Sequence, residues 1–246
     1  MFSTKRFIDN ICLSINKMKL TLSDIPIYCL TCEEDNEQSK KRNHMENQIS
    51  PEFVMPIIGI QKNKSGASGF FRMIERGLKA QVRGEPFKPF LMVEDDVQFV
   101  MSRNQLEVAL PDDADVLYIG LSNCSMNSYM FHYANYYEGV EGFPEVVRIQ
   151  HMLSSHGILV CSALGASALQ RTMLEVYLSD KPWDIPMAYL QPYYRVYALR
   201  SPWVYQALEY GGNEACTRIT FEGGDNPLPP EFVTKDYISI RLLERN

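Results

Sequence analysis

Three consecutive carboxylates follow an apolar run in the stretch PFLMVEDDVQF; they are Glu94, Asp95 and Asp96. Neighbouring carboxylates repel one another and burying one without a partner is costly, so local structure gives no reason to gather them behind a strand. Mg²⁺ and Mn²⁺ prefer oxygen ligands, and one or two carboxylates with the phosphates of a substrate form a usual site for them. The triplet is therefore a candidate metal site; the alternative is a solvated acidic turn.

A cluster of small residues precedes a helical pattern; its members are Ser65, Gly66, Ser68 and Gly69. Backbone N–H groups at a helix N-terminus can bind phosphate because they lack partners within the helix. The alternative for this cluster is an ordinary N-cap with a tight turn.

His156 also has two open interpretations. It could contact a metal or a diphosphate, or it could cap a strand or helix.

The segment NSYMFHYANYYEG is rich in tyrosine. Aromatic faces stack on sugar rings, so Tyr133 and Tyr136 are candidates for contact with a sugar acceptor. Ordinary packing of the tyrosines against the core is the alternative. The segment therefore predicts an acceptor-binding loop or a packed aromatic loop, and the residues alone do not separate the two.

Strand patterns alternate with helix patterns along the chain. Strands are predicted in IPIYCLT, FVMPIIGIQ, PFLMV, ADVLYIGLS, GILVC, YYRVYAL and SPWVYQA, and helices in EEDNEQSKKRNHMENQI, in 65–82 and after a turn near Ala163 to Gly165. This order is typical of an α/β fold with a mixed, mainly parallel central sheet flanked by helices. Ligands bind outside the carboxyl ends of the strands in such sheets, which is where the pattern places Glu94 to Asp96.

The composition favours one folded domain. The chain has 246 residues, of which 46% are hydrophobic, and its net charge of -6 makes nucleic acid an unsuitable partner. No window approaches the about eighteen consecutive apolar residues of a transmembrane helix. The N-terminal apolar run is interrupted by Asp9, Asn10 and Ser14 and is too weak for a signal peptide. We therefore expect a lead segment over 1–24, a single domain over 25–246 and a cytoplasmic location.

The six cysteines lie mostly within apolar runs, which is typical of buried, reduced thiols rather than of a disulfide scaffold. Cys29 and Cys32 form a C-x-x-C pair, but the chain has no second pair that would complete a zinc site. We interpret this pair as structural.

The stretch PFLMVEDDVQF resembles the acidic motif of the family 25 glycosyltransferases, which include lipooligosaccharide-biosynthesis and procollagen galactosyltransferases. Further segments resemble this family in the same order: IPIYCLTCEEDNEQSKKR, SGASGFFRMIERGLKA, DVLYIGLS, SSHGILVCSALGASALQRTM, KPWDIPMAYL and YYRVYALRSPWVYQ. The chain departs from the family at SGASG, where the family commonly has G-E-x-G-C-x-x-S-H.

The resemblance implies a GT-A-like (Rossmann-like) fold and transfer of a sugar from a nucleotide diphosphate donor to the hydroxyl of a glycan, a lipid-linked sugar or a glycoprotein. It implies Mn²⁺ or Mg²⁺ held by Asp96 with help from Glu94 or Asp95. Gln206, at the end of the family-like closing run, is a candidate substrate contact. Two alternatives stay open, which are a catalytically idle carbohydrate- or nucleotide-binding module and a metal-dependent phosphohydrolase.

The resemblance also implies inversion at the sugar, which needs a general base other than the metal-bound Asp96. Asp184 is the first candidate, because Trp183 beside it could stack on a sugar and shield the carboxylate from water. Asp180 and His156 are the other candidates for this base. Asp184 has a structural alternative, namely a cap on a helix entered through Ile185 and Pro186.

Overall fold

The computed structural model describes residues 17–32, 36–122, 136–179 and 181–210. The described strands are β1 (Lys17–Thr21), β2 (Ile27–Leu30), β3 (Glu52–Val54), β4 (Phe90–Glu94), β5 (Val97–Phe99), β6 (Glu107–Pro111), β7 (Val116–Tyr118), β8 (Tyr136–Gly139), β9 (Val146–Gln150), β10 (Gly157–Val160), β11 (Val196–Leu199) and β12 (Val204–Gln206). The described helices are α1 (Asn36–Gln48), α2 (Lys62–Lys79), α3 (Ala163–Leu178) and α4 (Asp184–Leu190).

Eight of these strands form the central sheet in the order β3-β2-β4-β10-β7-β11-β9-β8. The α/β class and the mixed sheet agree with the sequence analysis. β2 pairs in parallel with β3 and β4, and β7 pairs in parallel with β11. β10 and β9 run opposite to the other six strands, so each pairing that they make is antiparallel. The sheet is therefore mainly parallel in strand direction but not in its pairings.

Two helix starts differ from the predicted ones. α2 begins at Lys62, before the small residues that were expected to open it. α3 begins at Ala163, where a turn was expected, because the hydroxyl of Ser162 accepts a hydrogen bond from Gly165 N–H at 2.9 Å and caps the helix directly after β10.

Two small antiparallel sheets lie beside the central sheet. β1 pairs with β6, and Leu20 and Leu22 are buried, so residues 17–24 pack with the rest of the fold although the sequence analysis assigned them to a lead segment. β5 pairs with β12 in a register that places Gln206 opposite Val97. This second pairing joins the acidic turn after β4 to a strand more than a hundred residues further along the chain.

The central sheet is buried on both faces. One face packs against α2, α3 and α4 through residues that include Phe70, Met73, Leu169, Met173 and Met187. The opposite face packs against α1, β1 and β6 through residues that include Met45, Ile49, Leu20, Val108 and Leu110. Because the sheet is buried on both faces, the sequences of β2, β4, β7 and β10 are continuous apolar runs and do not alternate between apolar and polar residues. No helix among the described residues has the length and apolar character needed to cross a bilayer.

Candidate functional site

The acidic triplet lies at the carboxyl edge of β4, as the sequence predicts. Glu94 is the last residue of the strand, and Asp95 and Asp96 form the turn into β5. The backbone on both sides of this turn is held by hydrogen bonds: Ala207 N–H donates to Asp96 O at 2.8 Å, and Glu94 N–H donates to His156 O at 3.4 Å. The carboxylates therefore sit on rigid sheet edges and not on a free loop.

Two of the three carboxylates share one hydrogen-bond donor. Gln206 Nε2 donates to Glu94 Oε2 at 3.0 Å and lies 3.3 and 3.4 Å from the two carboxylate oxygens of Asp96. The hydroxyl of Ser155 donates to Glu94 Oε1 at 2.6 Å. Gln206, which the sequence analysis gave as a substrate contact, thus belongs to the acidic site itself.

The site concentrates negative charge in a poorly solvated place. Burial, followed by the charge of Asp96, raises the pKa of Glu94 to about 8, while the hydrogen bond from Ser155 opposes the rise. Burial and the charge of Asp95 raise the pKa of Asp96 to about 6. Both shifts mean that the ionised forms lack sufficient positive charge nearby, which a cation would supply.

A positively charged side chain near the acidic site comes from α1. Lys41 Nζ lies 3.6 Å from Asp95 Oδ1, and its positive charge opposes the rise in the pKa of Asp96. His44 and Gln48 of the same helix contact Val97 O through side-chain nitrogens at 2.9 and 3.1 Å. Lys41 was not predicted as a site residue, and its only signal in the sequence is the Lys-Lys-Arg run after the opening strand.

His156 is almost fully buried and is uncharged near neutral pH. Its ring Nδ1 lies 3.2 Å from Ser154 Oγ, and Ser154 Oγ donates to Gly120 O at 3.3 Å. Burial lowers the pKa of His156 to about 3. Among the described residues, its Nε2 has no hydrogen-bond partner. A group with so low a pKa is a poor general base, so this residue is better explained as part of the strand edge that carries Ser155.

Asp184 lies at the start of α4, where it is the first helical residue and Trp183 is the N-cap. Burial raises the pKa of Asp184, and hydrogen bonds from the backbone N–H groups of Asp184 and Ile185 oppose the rise. The charge of Asp184 in turn raises the pKa of Glu94, so the two carboxylates are within electrostatic reach. Asp184 is therefore the first residue of α4 rather than its N-cap, and its charge acts on Glu94 of the acidic site.

Trp183 packs against α2. A β-carbon built on Gly66 would lie 2.4 Å from a carbon of the Trp183 ring, and the ring centroids of Trp183 and Phe70 are 6.2 Å apart. These contacts account for the position of the ring within the protein. Stacking of Trp183 on a sugar stays a prediction.

The small-residue cluster does not form a helix N-terminus. Ser65 N–H donates to Gln61 O at 2.8 Å, so the amides from Ser65 onward lie within the hydrogen-bonding pattern of α2. Ser68 Oγ accepts from Ile57 N–H at 2.8 Å and donates to Ser65 O at 2.7 Å. Gly66 and Gly69 give room to Trp183 and Leu30. The expectation that these four residues open the helix is wrong, because α2 starts about one turn earlier, so they do not offer the free N-terminal amides on which the predicted phosphate contact depended.

Three of the predicted positions cannot be placed in the site. Tyr133 and Asp180 lie outside the described residues. The backbone of Tyr136 opens β8 opposite Gln150, but its side chain lies outside what the structure describes.

The carboxylate oxygens of the site suit a divalent cation whose remaining ligands come from a substrate and water. Within the described ranges, no group of three His, Cys, Asp or Glu side chains is arranged as a metal centre. Mg²⁺ and Mn²⁺ sites, however, commonly use one or two carboxylates and take their other ligands from phosphate and water. Glu94 and Asp96 direct oxygens at one amide nitrogen, so their oxygens converge, and both are hard donors of the kind these ions prefer.

Neither the scan against protein-family models nor the search of curated proteins finds a match to this chain.

Proposed function

We propose that this protein is a GT-A-like glycosyltransferase that moves a sugar from a nucleoside diphosphate sugar to a hydroxyl acceptor with inversion. The acceptor class is a glycan, a lipid-linked sugar or a glycoprotein. The proposal starts from the family resemblance of the sequence, and the main structural support is the convergence of Glu94 and Asp96 on Gln206 at the carboxyl edge of β4.

Mn²⁺ or Mg²⁺ would be held by Asp96 and Glu94, with Asp95 beside them, and when bound it would stabilise the departing diphosphate as a Lewis acid. An acidic site without a cation repels a diphosphate, so these carboxylates can serve such a donor only as cation ligands. Lys41 supports this arrangement, because an ammonium group 3.6 Å from Asp95 lies at the same edge and can pair with a phosphate oxygen.

Asp184 is the proposed general base that takes the proton of the acceptor hydroxyl. It lies on α4, a different element from the strand that carries Glu94, and yet it acts on Glu94 electrostatically. Burial raises its pKa towards the range where a carboxylate accepts protons well. The pKa of His156, about 3, makes it the weaker candidate.

A reducing compartment such as the cytoplasm is part of the proposal. None of the described cysteines Cys29, Cys32 and Cys161 forms a disulfide, and two of them are buried in the core. Buried thiols of this kind are typical of proteins that fold under reducing conditions.

A panel of nucleotide sugars tests the proposed function. The protein is incubated with each donor, Mn²⁺ and mixed hydroxyl acceptors, and released nucleoside diphosphate and glycosylated product are measured. We expect one donor to be consumed with formation of product in which the anomeric configuration is inverted. Release of inorganic phosphate without an acceptor would instead indicate a phosphohydrolase, and donor binding without turnover would indicate an idle binding module.

A further inference from the structure

We propose that Gln206 has different roles in the metal-free and the metal-bound protein: its amide NH₂ group donates hydrogen bonds to Glu94 and Asp96 in the metal-free protein, and its amide oxygen becomes a ligand when a divalent cation displaces the NH₂ group. This inference rests on the metal site of the proposed function. It concerns what the chain does at that site before and after a cation arrives, which the resemblance does not address.

Gln206 Nε2 contacts both carboxylates. This single nitrogen lies 3.0 Å from Glu94 Oε2 and 3.3 Å from Asp96 Oδ2, and an amide nitrogen carries two hydrogens, one for each carboxylate. Gln206 is itself buried, at 8% exposure. The amide thus occupies the position between the two carboxylates where positive charge is most favourable.

The backbone beneath Gln206 stays in place during the exchange. β12 pairs Gln206 with Val97, and Ala207 N–H donates to Asp96 O at 2.8 Å. In the proposed exchange the side chain changes its role by a half-turn of its terminal amide, which replaces two donors with a carbonyl oxygen. An oxygen from an uncharged amide is a ligand that Mg²⁺ and Ca²⁺ sites accept.

Substitutions at position 206 separate the two roles. Gln206→Lys places a permanent cation near both carboxylates, so it should replace the amide and exclude a metal ion. Gln206→Glu keeps an oxygen for the metal but adds a third negative charge, so it should bind metal more tightly and weaken the metal-free fold. Gln206→Met fills similar volume and supplies neither a strong donor nor an oxygen.

The test measures Mn²⁺ binding by titration calorimetry and thermal unfolding in chelator, with Mn²⁺ alone as the probe. We expect Gln206→Lys to unfold at a higher temperature than the wild type in chelator and to bind no Mn²⁺. We expect Gln206→Glu to unfold at a lower temperature in chelator and to bind Mn²⁺ about tenfold more tightly, as added ligand charge does at other oxygen sites. Gln206→Met should show both lower stability and weaker Mn²⁺ binding.

Gln105, which is exposed on the turn between β5 and β6, provides matched controls: Gln105→Lys and Gln105→Glu make the same charge changes away from the carboxylates and should leave Mn²⁺ affinity unchanged. Wild-type Mn²⁺ affinity in Gln206→Lys would overturn the inference. If that variant does not fold, the Glu and Met variants decide, and equal affinities in those two would overturn it.

The same measurements separate this inference from the proposed function. A wild-type protein that binds no Mn²⁺ would overturn both the exchange and the metal site. A wild-type protein that binds Mn²⁺ and shows the opposed responses of the Lys and Glu variants, but consumes no nucleotide sugar, would overturn the proposed reaction and leave the exchange supported.

Discussion

Gly120 and His156 are in direct contact: a β-carbon built on Gly120 would lie 2.3 Å from Nε2 of the buried imidazole. Gly120→Ala should therefore destabilise the fold by about 1–3 kcal/mol, because the ring is enclosed and cannot move aside without cost. Chemical denaturation measures this loss. Gly139→Ala is the matched control, since its β-carbon would lie 3.6 Å from Arg200 Nη2, an ordinary contact.

A double-mutant cycle identifies the cause of that loss. In a His156→Ala background the ring is absent, so Gly120→Ala should cost much less than it does in the wild type. Equal costs in both backgrounds would mean that the Gly120 substitution acts through the backbone and not through His156.

The stability of the metal-free protein should fall as pH rises from about 6.5 to 8. The pKa of Glu94 is about 8 in the fold against an ordinary 4.5, so over this range the folded state holds a proton that the unfolded state has released. One such proton lowers the free energy of unfolding by about 1.4 kcal/mol per pH unit. Asp96, with a pKa of about 6, also makes the free energy of unfolding fall as pH rises, but over a lower pH range.

His156 sets the lower limit of the pH range in which stability falls as pH rises. Its pKa is about 3 in the fold against an ordinary 6.5, so below pH 6.5 it acts in the opposite direction and removes stability as pH falls. Denaturant unfolding in chelator at several pH values checks the slope above 6.5. Glu94→Gln should flatten it, and an unchanged slope in that variant would show that another group is responsible.

Nucleoside diphosphate should bind only with a divalent cation. In chelator we expect affinity to drop at least about tenfold and to return with Mn²⁺, because the unneutralised carboxylates repel the diphosphate. Asp96→Ala should show the weak binding even with Mn²⁺. Asp112→Ala, which removes an exposed carboxylate after β6, should bind as the wild type does. Calorimetry that finds the same affinity in chelator would contradict the role of the cation.

Asp184→Asn should reduce sugar transfer by roughly a hundredfold or more while donor affinity is retained, the usual scale for loss of a general base. Asparagine keeps an oxygen that can accept the N–H groups at the start of α4, so the helix should remain intact. Glu175→Gln, an equivalent change on the exposed side of α3, is the control. Transfer near the wild-type rate in Asp184→Asn would remove Asp184 from the mechanism and direct attention to Asp180.

Cys32 should react with iodoacetamide in the native protein, whereas Cys29 and Cys161 should not. Cys32 is exposed, while burial raises the pKa of both other thiols, and the charge of Asp95 raises that of Cys29 further. The thiolate is the reactive form, so these two react only after unfolding. Peptide mass spectrometry with and without denaturant locates the modified residues. Modification of Cys29 as fast as that of Cys32 would contradict the structural interpretation of the C-x-x-C pair.

Local patterns were sufficient for β4, β2 and α1, three of the elements that contribute to the site. The apolar run before Glu94 predicted β4 and its acidic end, and the pattern after Ile25 predicted β2 and α1. Short elements were missed, among them β5 and β6, because three to five residues carry too little periodicity to identify. Periodicity also does not encode strand direction, which is why the antiparallel course of β10 was not anticipated.

The sequence by itself determined the chemistry at the edge of β4, since burial patterns and neighbouring carboxylates are properties of adjacent residues. Only the tertiary structure decided which partners those carboxylates meet. Gln206 is 112 residues from Glu94 and Ser155 is 61 residues from it, and Lys41 reaches Asp95 from a separate helix. These contacts depend on the register of β12 on β5 and on the course of β10 beside β4, which are set by packing across the whole sheet and leave no periodic signal in the chain.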